Sequence, residues 1–160
     1  MSPAITICRE RADQPDVTAL LASLDAYLQS LYPPEANHIL DVAALLEPQV
    51  RFHVARRGER VVGTGAVRLM DGEPATGGER YGEIKRMYVD PAQRGLRIGE
   101  RLLQTLEDAL RAEGVSLALL ETGAEQSAAV RLYERCGYRP RGAYGGYPDN
   151  GLSVFYGKRL

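Results

Sequence analysis

The sequence predicts a mixed α/β fold: a mainly antiparallel central sheet with one parallel β-α-β crossover, flanked by about four helices. Segments with apolar residues at every second position recur along the chain, and stretches with apolar residues at helical spacing separate several of them. One strand, a helix and a buried strand also follow each other at the length of a parallel crossover. The 160 residues are enough for one core, so we expect a single domain over residues 1–160.

Composition and charge limit the class of protein. Hydrophobic residues make up 44% of the chain and charged residues 26%, as in ordinary globular proteins. The formal net charge of −1 gives no general attraction to nucleic acid or membrane, so an anion site must be local. No signal-peptide pattern and no apolar run of roughly 20 residues is present. We therefore expect a cytoplasmic protein with neither nucleic-acid nor membrane partners.

Metal binding and disulfide formation are not expected. The two cysteines, Cys8 and Cys136, lie far apart in the chain and lack the spacing of metal ligands. A distant pair of this kind indicates reduced thiols in the cytoplasm. The only histidines are His38 and His53, so we do not expect a multi-histidine metal site.

The first third of the chain predicts a strand and two helices. Alternating apolar residues indicate a strand over residues 4–9. Asp13 is expected to cap a helix whose apolar positions recur from Val17 to Leu31, ending before a pair of prolines. A shorter helix is expected over residues 40–47.

Three antiparallel strands are expected next. Residues 50–54 and 61–69 alternate around the turn Arg57-Gly58-Glu59 and predict a hairpin. Residues 71–79 have the composition of a loop, which should join the hairpin to a third strand at Tyr81–Val89.

The second half of the chain supplies the crossover. Apolar spacing predicts a helix from Ile98 to Leu110, with Gly114 in the left-handed conformation after its end. A buried strand over residues 115–121 then completes the parallel β-α-β unit. The remaining elements are a helix at 125–136 and two closing strands at 138–144 and 152–158.

The most informative stretch runs from Glu83 to Glu100, EIKRMYVDPAQRGLRIGE. A strand that begins with a carboxylate ends at Asp90-Pro91, and a basic turn with glycine leads directly into a helix. The first N–H groups of a helix have no acceptor within it, and the helix dipole adds about half a positive charge there. The turn therefore predicts an anion site, and phosphate is the first candidate.

Other phosphate-binding patterns fit this turn less well. It contains neither G-x-x-x-x-G-K-[S/T] nor the dinucleotide pattern G-x-G-x-x-G. The structural alternative is that Gly95 and Gly99 only shape the turn while the neighbouring arginines are solvated.

Two separated motifs resemble those of the GNAT superfamily of N-acetyltransferases. Residues 94–99, RGLRIG, are similar to the family's acetyl-coenzyme A loop [Q/R]-x-x-G-x-[G/A]. Residues 126–138, QSAAVRLYERCGY, are similar to its motif N-x-x-A-x-x-L-Y-x-x-x-G-[F/Y]. The predicted element order agrees with that fold, and the resemblance covers essentially the whole chain.

The sequence departs from the family pattern at two positions. Gln126 replaces the usual asparagine, and Arg97 stands where the middle glycine of the loop usually lies. A side chain at position 97 should keep φ negative or point away from the phosphates, although a guanidinium could also contact them.

The resemblance implies acetyl-coenzyme A as co-substrate and no metal. The strand before the loop would pair its backbone with the pantetheine arm, through Met87, Tyr88 and Val89. The loop and helix start would hold the pyrophosphate, through Arg94, Gly95, Leu96, Arg97, Ile98 and Gly99. Gln126 would hydrogen-bond the pantetheine or a bound water.

The resemblance also implies a base and an acid. An alkyl amine with a pKa near 10 is only about one part in a thousand neutral at pH 7, so a base must remove a proton. Glu83 matches a catalytic glutamate of several members, acting directly or through water; otherwise it is a solvated carboxylate at a strand end. Tyr133 matches the general-acid tyrosine that would protonate the leaving thiolate; otherwise it is a buried core ring. An N–H group near 87–89 would stabilise the oxyanion.

The expected function is transfer of an acetyl group from acetyl-coenzyme A to a primary amine of a small molecule or peptide, by direct attack in a ternary complex. A non-catalytic coenzyme A sensor and an acyltransferase using another acyl-coenzyme A are the alternatives. Dimers are common in the superfamily, so a homodimer is one expected assembly.

Arg86 could pair with an acidic acceptor or balance the charge of Glu83. Further candidates for acceptor specificity are Tyr32, His38, Tyr144 and Tyr147.

Overall fold

The protein is described by a computed structural model that covers residues 4–93 and 95–160, without the side chain of Glu35. Its elements follow one another in the predicted order. In the first half they are strand β1 (Ile5–Arg9), helices α1 (Pro15–Leu31) and α2 (Val42–Leu45), and strands β2 (Val50–Arg57), β3 (Arg60–Met70) and β4 (Tyr81–Val89). In the second half they are α3 (Ile98–Ala112), β5 (Leu117–Gly123), α4 (Ser127–Arg135), β6 (Arg139–Arg141) and β7 (Ser153–Arg159).

All seven of these strands belong to one sheet, in the order β1-β2-β3-β4-β5-β7-β6. The neighbouring pairs are antiparallel, except that β4 and β5 run parallel and are connected through α3. The predicted fold class, a mainly antiparallel sheet with one parallel crossover, is confirmed.

The helices cover both faces of the sheet. Buried residues of α1 and α2 pack against alternate residues of β2 and β3, among them Val17, Leu21, Leu45, Phe52, Val54 and Ala66. On the other face, α3 buries a stripe at helical spacing that consists of Ile98, Leu102, Leu103, Leu106 and Leu110. Each buried leucine contributes about 1.5–3 kcal/mol to folding. A Cβ atom at Gly82 would lie 2.1 Å from Cδ2 of Leu110, so glycine lets α3 lie close on β4.

Several predicted boundaries need correction. Asp13 does not cap α1, because Gln14 is the N-cap, Pro15 begins the helix, and the Asp13 carboxylate pairs with Arg11 at 2.8 Å. Helix α2 has only four residues; it starts after Asp41, which caps it by accepting a hydrogen bond of 2.8 Å from the backbone N–H of Ala44, and it ends before Leu46. Helix α4 and strand β6 are also shorter than predicted. Gly114 has φ +71°, as predicted.

The middle of β4 departs from regular strand geometry. The pairing between β3 and β4 shifts register at a β-bulge, and Arg86 within it has φ +57°. The hydroxyl of Thr64 donates a hydrogen bond of 2.9 Å to the carbonyl oxygen of Arg86, which supports this conformation. A bulge of this kind bends its strand and redirects the side chains around it.

Strands β4 and β5 form a fork. Their parallel pairing is limited to Gly82 with Ala118 and Glu83 with Leu119. Beyond these pairs the strands separate, which leaves the edge of residues 84–89 without a strand partner on that side. The predicted site residues Met87, Tyr88 and Val89 lie on this edge. Within the described ranges, no helix has both the length and the apolar character needed to cross a membrane.

Candidate active site

Two cavities meet at the fork between β4 and β5. The larger, of about 600 Å³, is bordered by the second half of β4, the turn before α3, and α4. The smaller, of about 100 Å³, lies among β4, β5 and the segment after α1. Four residues line both cavities, which are therefore adjacent: Leu24, Met87, Gln126 and Tyr133. After the ligands that the resemblance implies, the smaller cavity is called the acceptor cavity below and the larger the cofactor cavity.

Most residues predicted to bind the co-substrate line the cofactor cavity. They are Met87, Tyr88, Val89, Gly95, Arg97, Ile98, Gly99 and Gln126. Leu96 is not among the lining residues and is 45% exposed. Arg94 lies outside the described residues. The structure thus brings together three segments, from β4, the turn and α4, that the sequence predicted to share one ligand.

The turn before α3 owes its shape to two residues with left-handed backbone. Gly95 has φ +91°, which glycine adopts without steric cost, and Arg97 has φ +59° as the N-cap of α3. Of the alternatives expected for position 97, the negative φ is therefore wrong. A left-handed conformation costs a residue with a Cβ atom roughly 1–2 kcal/mol. Arg97 lies on the wall of the cofactor cavity, beside the first turn of α3.

Gly99 allows α3 and α4 to approach each other at this wall. A Cβ atom at position 99 would lie 3.0 Å from Cδ2 of Leu132 in α4, closer than most side-chain contacts. The small residue therefore permits the close packing of the two helices that border the cavity.

Tyr133 lies on the wall shared by both cavities and also packs in the core. Its ring contacts the ring of Tyr138 edge to face, with centroids 6.0 Å apart. Tyr133 is therefore a core residue, as the structural alternative expected, and it also lines both cavities. Burial, reinforced by the negative charge of Glu121, raises the pKa of Tyr133 well above its usual value. The phenol therefore stays protonated at neutral pH, which is the form that a proton donor needs.

Glu83 is buried, with only 1% of its surface exposed, and it lines neither cavity. Its Oε1 accepts a hydrogen bond of 2.8 Å from Nη2 of Arg68. Its Oε2 accepts hydrogen bonds from the hydroxyls of Tyr144, at 2.9 Å, and Tyr147, at 2.6 Å. The alternative that Glu83 is a solvated carboxylate is therefore wrong.

Electrostatics keep this buried carboxylate ionised. Burial acts to raise the pKa of Glu83, but the ammonium of Lys85, 3.6 Å from Oε2, and the hydrogen bonds from Tyr147, Arg68 and Tyr144 outweigh it. The result is a pKa below the usual value. Glu83 is thus a stable anion that organises its surroundings.

Two charged residues of the acceptor cavity were not singled out from the sequence. Lys85 is buried, and its Nζ donates to the hydroxyl of Tyr147 and, at 3.2 Å, to the carbonyl oxygen of His38. Glu121 is half-buried, and its Oε2 accepts a hydrogen bond of 2.6 Å from the hydroxyl of Ser153. Both line the acceptor cavity. The sequence predicted the strands that contain these two residues, but it did not predict the point at which the strands separate.

The residues predicted to govern acceptor specificity divide into two groups. Tyr32 and His38 line the acceptor cavity. The hydroxyl of Tyr32 accepts a hydrogen bond of 3.1 Å from the backbone of Glu125, and its ring lies on the bare backbone of Gly123. The other two, Tyr144 and Tyr147, hold the carboxylate of Glu83.

Arg86 also lines the acceptor cavity, and it does not balance Glu83. Its Nη1 pairs with Oδ1 of Asp25 in α1 at 2.5 Å. Its Nε is buried without a hydrogen-bond partner.

Across residues 4–93 and 95–160 no group of three or more His, Cys, Asp or Glu residues is arranged to hold a metal ion.

Comparison with known proteins gives the family of the chain. Residues 17–138 match the family model described as Acetyltransferase (GNAT) family. The protein called IAA acetyltransferase from Azospirillum brasilense is 48% identical, over 99% of this chain and 99% of that protein. A solved structure from Klebsiella pneumoniae, assigned to the acyl-CoA N-acyltransferases, is 35% identical with a TM-score of 0.79, covering 98% of this chain and 97% of the other.

A more distant structure shares the same fold. The PaiA N-acetyltransferase of Thermoplasma acidophilum, solved in complex with coenzyme A, superposes with a TM-score of 0.75 at 16% identity. The similarity covers 98% of this chain and 99% of that one. With the family model matching over most of its length, this chain belongs to the GNAT family of acetyltransferases.

Proposed function

We propose that this protein transfers the acetyl group of acetyl-coenzyme A to a primary amine of a small molecule or peptide, by direct attack within a ternary complex. The observation that carries the proposal is the meeting of two cavities at Tyr133 and Met87. A donor in the larger cavity and an acceptor in the smaller one would reach each other at the fork between β4 and β5. No residue of the chain is then needed to carry the acetyl group.

The cofactor cavity has chemistry suited to coenzyme A. Its volume of about 600 Å³ is in the range of small-molecule sites. The free N–H groups at the start of α3, with the guanidinium of Arg97, would bind the pyrophosphate. The edge of residues 84–89, which lacks a strand partner towards β5, would pair with the amides of the pantetheine arm. Bound there, acetyl-coenzyme A supplies an activated thioester.

Tyr133 is the proposed acid. It lies on the wall shared by both cavities and stays protonated, so it can donate a proton to the departing sulfur. Backbone N–H groups near 87–89 are proposed to stabilise the negative charge that develops on the carbonyl oxygen. Gln126 lines both cavities and is proposed to hydrogen-bond the pantetheine or a water molecule.

Glu83 is the proposed base, and it acts indirectly. Because its carboxylate is enclosed, a proton from the amine would reach it through water. Lys85, which lines the acceptor cavity and lies 3.6 Å from Glu83, is an ammonium and would orient such a water rather than accept the proton itself. The oxygen of Tyr147 links the two residues by hydrogen bonds.

We further propose that residues 1–160 act as one domain in the cytoplasm, with a homodimer as one candidate assembly. The chain has only two cysteines, Cys8 and Cys136, far apart in the sequence, which supports a reducing compartment.

A thiol-release assay of purified protein tests the proposal. Acetyl-coenzyme A is supplied with a panel of amines, amino acids and peptides, together with IAA, the compound named in the Azospirillum relative. We expect thiol release that depends on one class of acceptor, and a product heavier by one acetyl group. Binding of coenzyme A without release on any acceptor would favour the sensor, and release only with a longer acyl donor would favour a different acyltransferase.

A further inference from the structure

Opposite charges face each other across the fork in the sheet. The last paired residues are Glu83 of β4 and Leu119 of β5. Two residues further along each strand are Lys85 and Glu121, which a continued register would place side by side. Because side chains alternate along a strand, both lie on the same face as the pair before them. The strands have already separated at this level, and both residues line the acceptor cavity.

The acceptor cavity also opens to the other face of the sheet. Ile84 and Tyr133 line it and belong to the core beneath α3 and α4. Lys85 and Glu121 project from the opposite face. The cavity therefore passes between the separated strands, so a molecule held between the two charges has a route to Tyr133 and to the cofactor cavity.

Lys85 and Glu121 do not neutralise each other. Among the described residues, Lys85 forms its ion pair with Glu83, at 3.6 Å, and none with Glu121. The hydrogen bond to Glu121 comes from Ser153 and occupies Oε2, which leaves Oε1 without a protein partner in the described part of the chain. Arg86 also lines the wall; its Nη1 pairs with Asp25, but its buried Nε lacks a partner. A polar group buried in this way is unfavourable unless something binds it.

A ligand with one charge of each sign matches this arrangement. A carboxylate would gain charge-assisted hydrogen bonds from Lys85, and an ammonium would gain them from Glu121. The cavity has a volume of about 100 Å³, so a small molecule suits it.

We propose that the acceptor is a small zwitterion, a primary amine that also carries a carboxylate, as in an amino acid. Glu121 binds the amine and Lys85 binds the carboxylate, while the unpartnered Nε of Arg86 is a further donor on the wall. This inference rests on the proposed function and narrows its class of acceptor. Glu121 is then a binding residue for the amine, distinct from Glu83, which is enclosed behind the cavity wall.

The test compares matched acceptors on the wild-type protein. Initial rates of thiol release are measured with amino acids, with the corresponding amides, and with amines that lack any acidic group. We expect kcat/KM for the best amino acid to exceed that of its amide by about tenfold or more. Removal of the carboxylate lowers the pKa of the neighbouring ammonium, which by itself would favour the amide. A preference for the acid therefore reports recognition of the carboxylate.

Two variants assign the contacts. Glu121→Gln should raise KM for the amino acid while leaving KM for acetyl-coenzyme A close to that of the wild type. Lys85→Met should remove the preference for the acid over the amide, and Lys85→Arg, which keeps the positive charge, should retain most of it. Lys85→Met also leaves Glu83 with one cation fewer, so thermal unfolding is followed in parallel. The comparison of acids with amides on the wild-type protein tests the proposal even if Lys85→Met does not fold.

The outcomes separate the two proposals. Equal or faster reaction of the amides, with clear thiol release, overturns the zwitterionic acceptor and leaves acetyl transfer intact. Faster reaction of a polyamine or a long peptide than of any amino acid overturns it as well. Absence of thiol release with every acceptor contradicts the proposed function, and with it this inference.

Discussion

The hydroxyl of Tyr147 donates a hydrogen bond of 2.6 Å to Oε2 of Glu83, and the same hydroxyl accepts one from Nζ of Lys85. A loop after β6 thus links a buried carboxylate of β4 to a cation on the wall of the acceptor cavity. Glu83 therefore fixes the position of Lys85, and in the proposed mechanism it is also the final acceptor of the amine's proton. Both effects lead to measurable consequences.

Replacement of Glu83 by glutamine should lower stability and activity together. The change removes the anion that pairs with Arg68 and Lys85, and an unbalanced buried charge costs about 3–5 kcal/mol. We expect the free energy of unfolding, measured in urea, to fall by about 3 kcal/mol, with slower turnover at saturating acceptor. Tyr147→Phe is the matched control, since it removes hydrogen bonds but no charge and should cost about 1 kcal/mol. Unchanged stability and turnover in Glu83→Gln would contradict this role.

The pH dependence of stability should also report Glu83. Its pKa in the folded protein lies below the usual value of about 4.3, so the folded state binds fewer protons than the unfolded state. Its contribution is fully present above that unfolded value and is lost as pH falls through the folded pKa. The difference in unfolding free energy between wild type and Glu83→Gln should therefore shrink between pH 5 and pH 2. A constant difference over that range would argue against an ionised Glu83.

Tyr133→Phe should impair the chemical step without impairing binding. Loss of a general acid lowers rates by about 10²- to 10⁴-fold, so kcat should fall while the dissociation constant of acetyl-coenzyme A changes little. The control is Tyr138→Phe, whose hydroxyl donates to buried Glu107 at 3.0 Å; it should lose stability and keep its kcat. Because burial raises the pKa of Tyr133, no loss of rate from its ionisation is expected below pH 10. An unchanged kcat would remove Tyr133 from the mechanism.

Arg97→Gly should strengthen the fold and weaken coenzyme A binding. Glycine accepts φ +59° without the strain of a side chain, so we expect the unfolding free energy to rise by about 0.5–1 kcal/mol. Loss of the guanidinium should weaken coenzyme A binding several-fold at low salt, and added salt should reduce the difference. Arg97→Lys keeps the charge and should keep most of the affinity. Equal affinity of wild type and Arg97→Gly at every salt concentration would show that Arg97 does not contact the pyrophosphate.

Local patterns predicted the framework of the site well. The alternation of Tyr81–Val89 gave the bounds of β4, and the apolar spacing after Ile98 gave the start of α3, because both signals lie within the elements that they define. The glycine-bearing turn between them was also predicted. Its left-handed residue at Arg97 was not, since a side chain with a Cβ atom disfavours that conformation.

Long-range contacts of the site could not be predicted from the sequence. Glu83 has the local signature of a carboxylate at a strand end, and its burial depends on Tyr144 and Tyr147, which lie about 60 residues later in a loop. Likewise, nothing in the local sequence distinguishes Lys85 and Glu121 from other strand residues. They line a cavity only because the parallel pairing ends at Glu83 and Leu119. The spacing of apolar residues within one strand does not determine where that strand separates from another strand distant in the sequence.

Two-substrate kinetics test the central claim most directly. Initial rates are measured while acetyl-coenzyme A and the best acceptor are varied together. Direct transfer across the fork requires both molecules to be bound at once, so double-reciprocal plots should give lines that intersect. Parallel lines, with release of coenzyme A before the acceptor binds, would contradict a ternary complex and indicate an acetylated residue of the protein.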